Sequence, residues 1–209
     1  MKDEKFFDNR NPGWMNAAEI ALLKKLCSGK GDVLEVGCYC GRSTRAILES
    51  AGGLVVSIDP LHRNGWMPRW PVSEGMVLDA PTYMAQLVRE HPQRLLVFPV
   101  FSNEVFRLFR RNVDVLFIDA DHSYQSTLNE IDAFAPLVND TGWLILDDFD
   151  LEPVASAWRD SKFRQARPWL VMDTFESLGY VHVVKQEANN PPAIEGTPVS
   201  DVAPTAEVR

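Results

Sequence analysis

Two acidic clusters and one histidine are the residues of this chain best suited to chemistry. Asp119-Ala120-Asp121-His122 closes one apolar run and Asp147-Asp148 closes another. Carboxylates gathered at one place repel each other more strongly as water is excluded. Asp119, Asp147 and Asp148 therefore call for a cation, a shared proton or a positively charged ligand. A hard divalent ion such as magnesium takes a few carboxylates while keeping water and substrate oxygens. The blander alternative is that one of the three caps the following helix and the others point to solvent. His122, three residues past Asp119, is the natural proton acceptor, because an imidazole titrates near neutral pH. Beside a cation it would make an alcohol or phenol nucleophilic. His62, close behind Asp59, is a second candidate base.

A ligand for this chemistry is suggested by Val33-Leu34-Glu35-Val36-Gly37-Cys38-Tyr39-Cys40-Gly41-Arg42-Ser43-Thr44, an apolar strand entering a glycine-framed turn and then a helix. Gly37 and Gly41 let the backbone pass close to a small molecule, and the helix start at Ser43 offers unpaired N–H groups. The spacing is not that of a dinucleotide site, since Tyr39 stands where a second glycine would admit a pyrophosphate. Glu35 suits a cationic ligand and would repel a phosphate. Asp59 ends the next apolar run about 20 residues beyond the turn, where an acid takes a ribose diol. Adenosine carrying a cation fits both.

These residues need a scaffold that brings strand ends together. The chain has 209 residues, 45% hydrophobic and 24% charged, which suits one domain with a full core. The net charge of −8 disfavours nucleic acid as the main substrate. Three cysteines do not make a secreted disulfide framework, and no apolar run resembles a signal peptide or membrane span, so a cytoplasmic location is expected. Cys38 and Cys40 read as small buried loop residues rather than half a metal site.

Asn16 reads as the N-cap of a helix over 17–27. A strand from Val33, a helix over 43–50 and a strand over 54–58 make one βαβ unit. The Trp- and Pro-containing stretch 61–81 reads as a lid or insertion, where Trp66 and Trp70, with Tyr124 farther on, could stack on an acceptor. A helix over 82–90, a strand over 95–99 and a helix running from Ser102 toward Arg110 follow. The nearly all-apolar 113–118 is a strand covered on both faces. A helix over 125–137 leads to a strand over 143–146. Residues 169–178 read as a helix and 180–185 as a strand, and 187–209 as a disordered tail. The fold class is α/β, a single Rossmann-like doubly wound domain over 1–186. Its ligand crevice lies beyond the carboxyl ends of the strands.

In this order, Glu35 through Gly41, Asp59, the Asp119 to Tyr124 run and the Gly142 to Asp148 strand resemble class I S-adenosylmethionine-dependent methyltransferases. Within them the sequence is most similar to the metal-dependent O-methyltransferases of the macrocin and mycinamicin type, which act on sugar hydroxyls. The resemblance implies that Glu35 and Gly37 hold the methionine end of the cofactor and Asp59 its ribose. It places Ser102 at the adenine edge, Asp119 beside the cofactor, and Asp119, Asp147 and Asp148 as magnesium ligands, with His122 as general base. The implied partner is a small hydroxylated substrate of specialised metabolism, and a homodimer is the assembly considered. A cofactor-binding protein without methyl transfer, or a transferase working without metal, are the alternatives.

Overall fold

Asn16 shows how the sequence writes its first element. Its side-chain oxygen accepts the N–H groups of Ala18 and Glu19 at 2.8 and 3.0 Å, while the Glu19 carboxylate accepts the Asn16 N–H at 2.6 Å. This reciprocal cap starts helix α1, Ala17–Cys27. The structure, a computed structural model, describes residues 11–61 and 79–184. The lid expected at 61–81, apart from its ends, and the tail at 187–209 lie outside them, as do His62, Trp66 and Trp70.

The strands β1 (Val33–Val36), β2 (Val55–Ile58), β3 (Leu95–Phe98), β4 (Val113–Ile118), β5 (Val138–Leu146), β6 (Asp173–Phe175) and β7 (Leu178–Val183) form one sheet in the order β3-β2-β1-β4-β5-β7-β6. The first five are parallel, and β7 runs antiparallel to both β5 and β6. Alternate residues supply two cores. Leu34, Val56, Leu116 and Leu144 pack with Ile131 and Phe134 of α5 (Tyr124–Phe134) and Trp158 of α6 (Glu152–Asp160). Val33, Val55, Val115 and Ile145 pack on the other face with Leu23 of α1, Ile47 of α2 (Arg42–Ser50) and Leu87 of α3 (Ala80–Glu90). Burial on both faces is why these strands read as continuous apolar runs. The order reverses between β1 and β4, and an open sheet leaves its crevice at such a reversal.

Two expectations change. Residues 169–178 are not a helix: they hold β6 and a turn at Glu176, whose φ of +52° reverses the chain into β7. The cross-strand pairing with β7 decides the conformation of a segment whose three strand residues are all exposed. The helix from Ser102 ends at Val105 (α4, Ser102–Val105), after which Phe106 and Phe109 turn inward and meet Phe134 edge-on, with ring centroids 5.2 and 6.4 Å apart. A last short helix, α7 (Lys162–Gln165), follows α6. Among the described residues no helix is long and apolar enough to cross a membrane.

Arg94 fastens the far end of this frame. Its guanidinium donates to the carbonyls of Leu48, Ala51 and Gly53 at 2.6 to 3.2 Å, answering the C-terminal end of α2 and the turn into β2. Arg94→Ala should lower unfolding free energy by about 2 kcal/mol, the scale for charged donors to carbonyls, measured by urea denaturation. A loss indistinguishable from zero would show that water replaces these bonds.

Candidate active site

The glycine turn is shaped first by the protein around it. Gly37 has φ +86°, and a Cβ there would lie 1.7 Å from the Asp119 carbonyl oxygen at the tip of β4. Gly41 has φ +81°, and a Cβ would meet Leu87 and Met84 of α3 at 2.4 and 2.7 Å. Both glycines are thus required by packing, whatever ligand the turn serves.

Glu35 is 0% exposed, and its carboxylate accepts the hydroxyls of Ser43, Thr44 and Ser57 at 2.6 to 2.7 Å. Burial raises its pKa to about 7 against the pull of those three bonds. It ties β1 to α2 and β2 from inside. The Ser43 hydroxyl is engaged by the same bond, which leaves its N–H at the helix start as the group it can offer a ligand.

Asp59 has a similar double duty. Its carboxylate accepts the N–H groups of Cys38 and Tyr39 at 2.8 Å each and that of Leu61 at 2.7 Å. It holds the turn closed across β1 and β2, so any ribose contact is added to a carboxylate already bound three times. Cys38 and Cys40 are buried free thiols, and burial pushes Cys40 up to about 12. From the other side Asn11 donates to the Cys40 carbonyl at 2.6 Å and accepts from Arg45 at 2.5 Å. Nothing in the spacing of Asn11 announces that role.

Ser102 donates to Glu130 of α5 at 2.7 Å. Glu130 is 1% exposed, its second oxygen has no hydrogen-bond partner, and burial raises its pKa to about 7 despite the Ser102 bond. The available sequence signal was an acid on the apolar stripe of α5, beside Thr127, Ile131 and Phe134. Tyr124, expected to meet an acceptor, donates instead to Asp160 at 3.1 Å.

The strand tips of β4 and β5 bring the catalytic candidates together. His122 Nδ1 lies 3.0 Å from Asp148 Oδ2, and Nε2 lies 3.4 Å from Asp119 Oδ1. Asp148 reaches it from a left-handed backbone, φ +50°, a strained conformation for a residue with a Cβ. Burial disfavours the charged ring, but Asp119, Asp148 and Asp147 outweigh it and raise the His122 pKa to about 9. Burial also raises the Asp119 carboxyl, against the pull of His122.

Asp147 lies on the same rim and is the more deeply buried of the adjacent pair. It is 8% exposed, and burial followed by the charges of Asp119 and Asp148 raises its pKa to about 8. Ser177 Oγ sits 3.2 Å from Asp147 and 2.8 Å from Glu19 of α1. The Ser177 hydroxyl can donate to only one of the two carboxylates at a time, and Glu19 is the nearer. Ser177 belongs to the β6–β7 turn that the sequence reading took for helix. Asp119, Asp147 and Asp148 do converge on one rim. As placed, the imidazole stands between Asp119 and Asp148, where a shared magnesium ion would need their oxygens. Among the described residues no group of three or more His, Cys, Asp or Glu side chains is arranged to hold a metal ion.

Glu35, Glu130, Asp147 and His122 all hold a proton more tightly in the folded chain than in an unfolded one. Where the folded state binds more protons, stability falls as pH rises. For the carboxyls this runs from about 4 up to about 7 to 8, and for His122 from 6.5 to about 9. The ligand-free protein should therefore melt at a lower temperature at pH 8.5 than at pH 5.5; a higher one would contradict these assignments.

A sheet of this order, with a glycine turn at its reversal and acids at the next strand tip, is the Rossmann-like fold of a methyltransferase. The chain belongs to the family described as a methyltransferase domain, which matches over residues 34–149. It is an S-adenosylmethionine-dependent methyltransferase. The O-methyltransferase NovP is 16% identical, with 83% of this chain and 82% of that one covered and a TM-score of 0.63. An O-methyltransferase from Bacillus cereus in complex with SAH is 17% identical, covering 80% and 82%, with a TM-score of 0.56. At such identities the likeness is one of fold. Uncharacterized protein R132 of Acanthamoeba polyphaga mimivirus is 28% identical over 64 residues, which are 31% of this chain and 27% of that protein. The match spans about a quarter of that relative's length.

Proposed function

We propose that the chain transfers the methyl group of S-adenosylmethionine to a hydroxyl of a small molecule, with His122 taking the hydroxyl's proton. The observation that carries this is an imidazole at the β4 tip, with its Nδ1 3.0 Å from Asp148. The acceptor oxygen attacks the methyl carbon, the carbon–sulfur bond breaks toward sulfur, S-adenosylhomocysteine leaves, and the proton moves to the ring. Alignment of oxygen, carbon and sulfur supplies most of the rate. Support for a hydroxyl acceptor comes from two structural relatives whose names describe O-methyltransferases.

The cofactor lies over the tips of β1 and β2. The N–H groups at the start of α2 and the Gly37 to Gly41 turn face its methionine end, Asp59 its ribose, Ser102 its adenine, and Asp119 its ammonium. The magnesium implied by the resemblance finds no ligand set as these side chains stand, so the reaction is drawn without it.

With a pKa of about 9, the ring is protonated at neutral pH and must lose its proton to act. Purified protein given S-adenosylmethionine and a panel of sugars and phenols should release S-adenosylhomocysteine and a methyl ether, by mass spectrometry, faster as pH rises toward 9. A pH-independent rate, or methylation only at nitrogen or carbon, would contradict the reading.

A further inference from the structure

We infer that the imidazole of His122 occupies the position between Asp119 and Asp148 that a divalent cation would take, so that base and cation exclude one another on this rim. The ring spans the two carboxylates, 3.0 Å from one and 3.4 Å from the other. Its Nε2 is buried without a hydrogen-bond partner, as expected of a ring seated by its Nδ1 contact rather than by two matched bonds. Asp148 keeps a left-handed backbone at this point, and Asp147 accepts from Ser177 at 3.2 Å.

A cation needs several oxygens at once and close. Magnesium asks for near-octahedral oxygens at roughly 2.1 Å. Two carboxylates with a five-membered ring between them cannot close to that geometry while the ring stays. A cation could bind only after the ring leaves. Its affinity is then reduced by the fraction of molecules in which the ring is already gone, so a ring parked nine times in ten weakens it about tenfold. This inference stands on the rim geometry alone and is independent of which acceptor is methylated.

The test is Mn2+ binding to the full chain at one fixed pH, read by calorimetry or by the electron paramagnetic resonance of free Mn2+. His122→Ala and His122→Asn should each bind Mn2+ about tenfold or more tightly than wild type. Asp148→Asn added to His122→Ala should abolish the gain. S-Adenosylhomocysteine affinity serves as the control for folding. Variants that bind Mn2+ no more tightly than wild type overturn the inference. A second measurement needs no variant: in wild type, the ring resonances of His122 should move in step with Mg2+ occupancy. Resonances that stay put at saturating Mg2+ overturn it equally. Either failure leaves methyl transfer standing, since S-adenosylhomocysteine release is scored separately.

Discussion

His122→Ala should lower kcat about 10³-fold at pH 8.5 while leaving S-adenosylhomocysteine affinity within about twofold of wild type, within the usual range for loss of a general base. The split follows from placement. The ring contacts acids on the tips of β4 and β5, whereas the cofactor turn is held by Glu35, Asp59 and Asn11 on β1, β2 and the preceding segment. Truncation removes the proton acceptor and leaves those fasteners untouched. It also leaves Asp119 and Asp148 without the cation that offsets their charges, so the variant's loss of stability should be largest near pH 6 and shrink as pH rises toward 9, where the wild-type ring gives up its proton. Stopped assays that count S-adenosylhomocysteine, paired with calorimetry, separate the two quantities. A variant with wild-type kcat would remove His122 from the reaction, and one that also lost cofactor affinity would make it a structural residue of the cofactor site.

Gly37→Ala should unfold the protein or lower its stability by more than about 3 kcal/mol, since it combines a forbidden backbone with an immovable clash. The added Cβ would sit 1.7 Å from the carbonyl oxygen and 2.4 Å from the carbonyl carbon of Asp119, and 2.9 Å from Ala120 Cα. All of these are backbone atoms just past the end of the adjacent strand β4, so no rotamer change relieves them. The φ of +86° adds strain of its own. Gly41→Ala makes an instructive contrast, because its clashes are with side-chain ends of Leu87 and Met84, which can swing. It should be the milder of the two. Urea midpoints of both variants decide the matter, and a Gly37→Ala midpoint close to wild type would mean that β1 and β4 separate more easily than their packing implies.

What the sequence made legible follows from how much each signal depends on neighbours far away in the chain. Asn16 with Glu19 is a local pair, and it fixed the first helix to the residue. The apolar run at Val113–Ile118 reads as a buried strand because both faces are covered, and acids at its end mark the crevice. The burial of Glu35 is not legible in the sequence, because an acid ahead of a glycine turn looks alike whether it meets a ligand or is buried. Only the fold gathers Ser43, Thr44 and Ser57 around it. Ser177 was hidden for the same reason: it sits in a two-residue turn, 30 residues from Asp147 and 158 from Glu19. The β6–β7 hairpin escaped because a three-residue exposed strand carries no alternation to read.

In the proposed reaction the cofactor lies over the tips of β1 and β2 with its sulfur aimed at His122 on the β4 tip. A crystal structure of the protein with S-adenosylhomocysteine tests it directly. The amino-acid end should lie at the start of α2, the ribose by Asp59, and the gap between sulfur and imidazole should be wide enough for one acceptor hydroxyl. A sulfur turned away from His122, or the compound bound anywhere else, would contradict it.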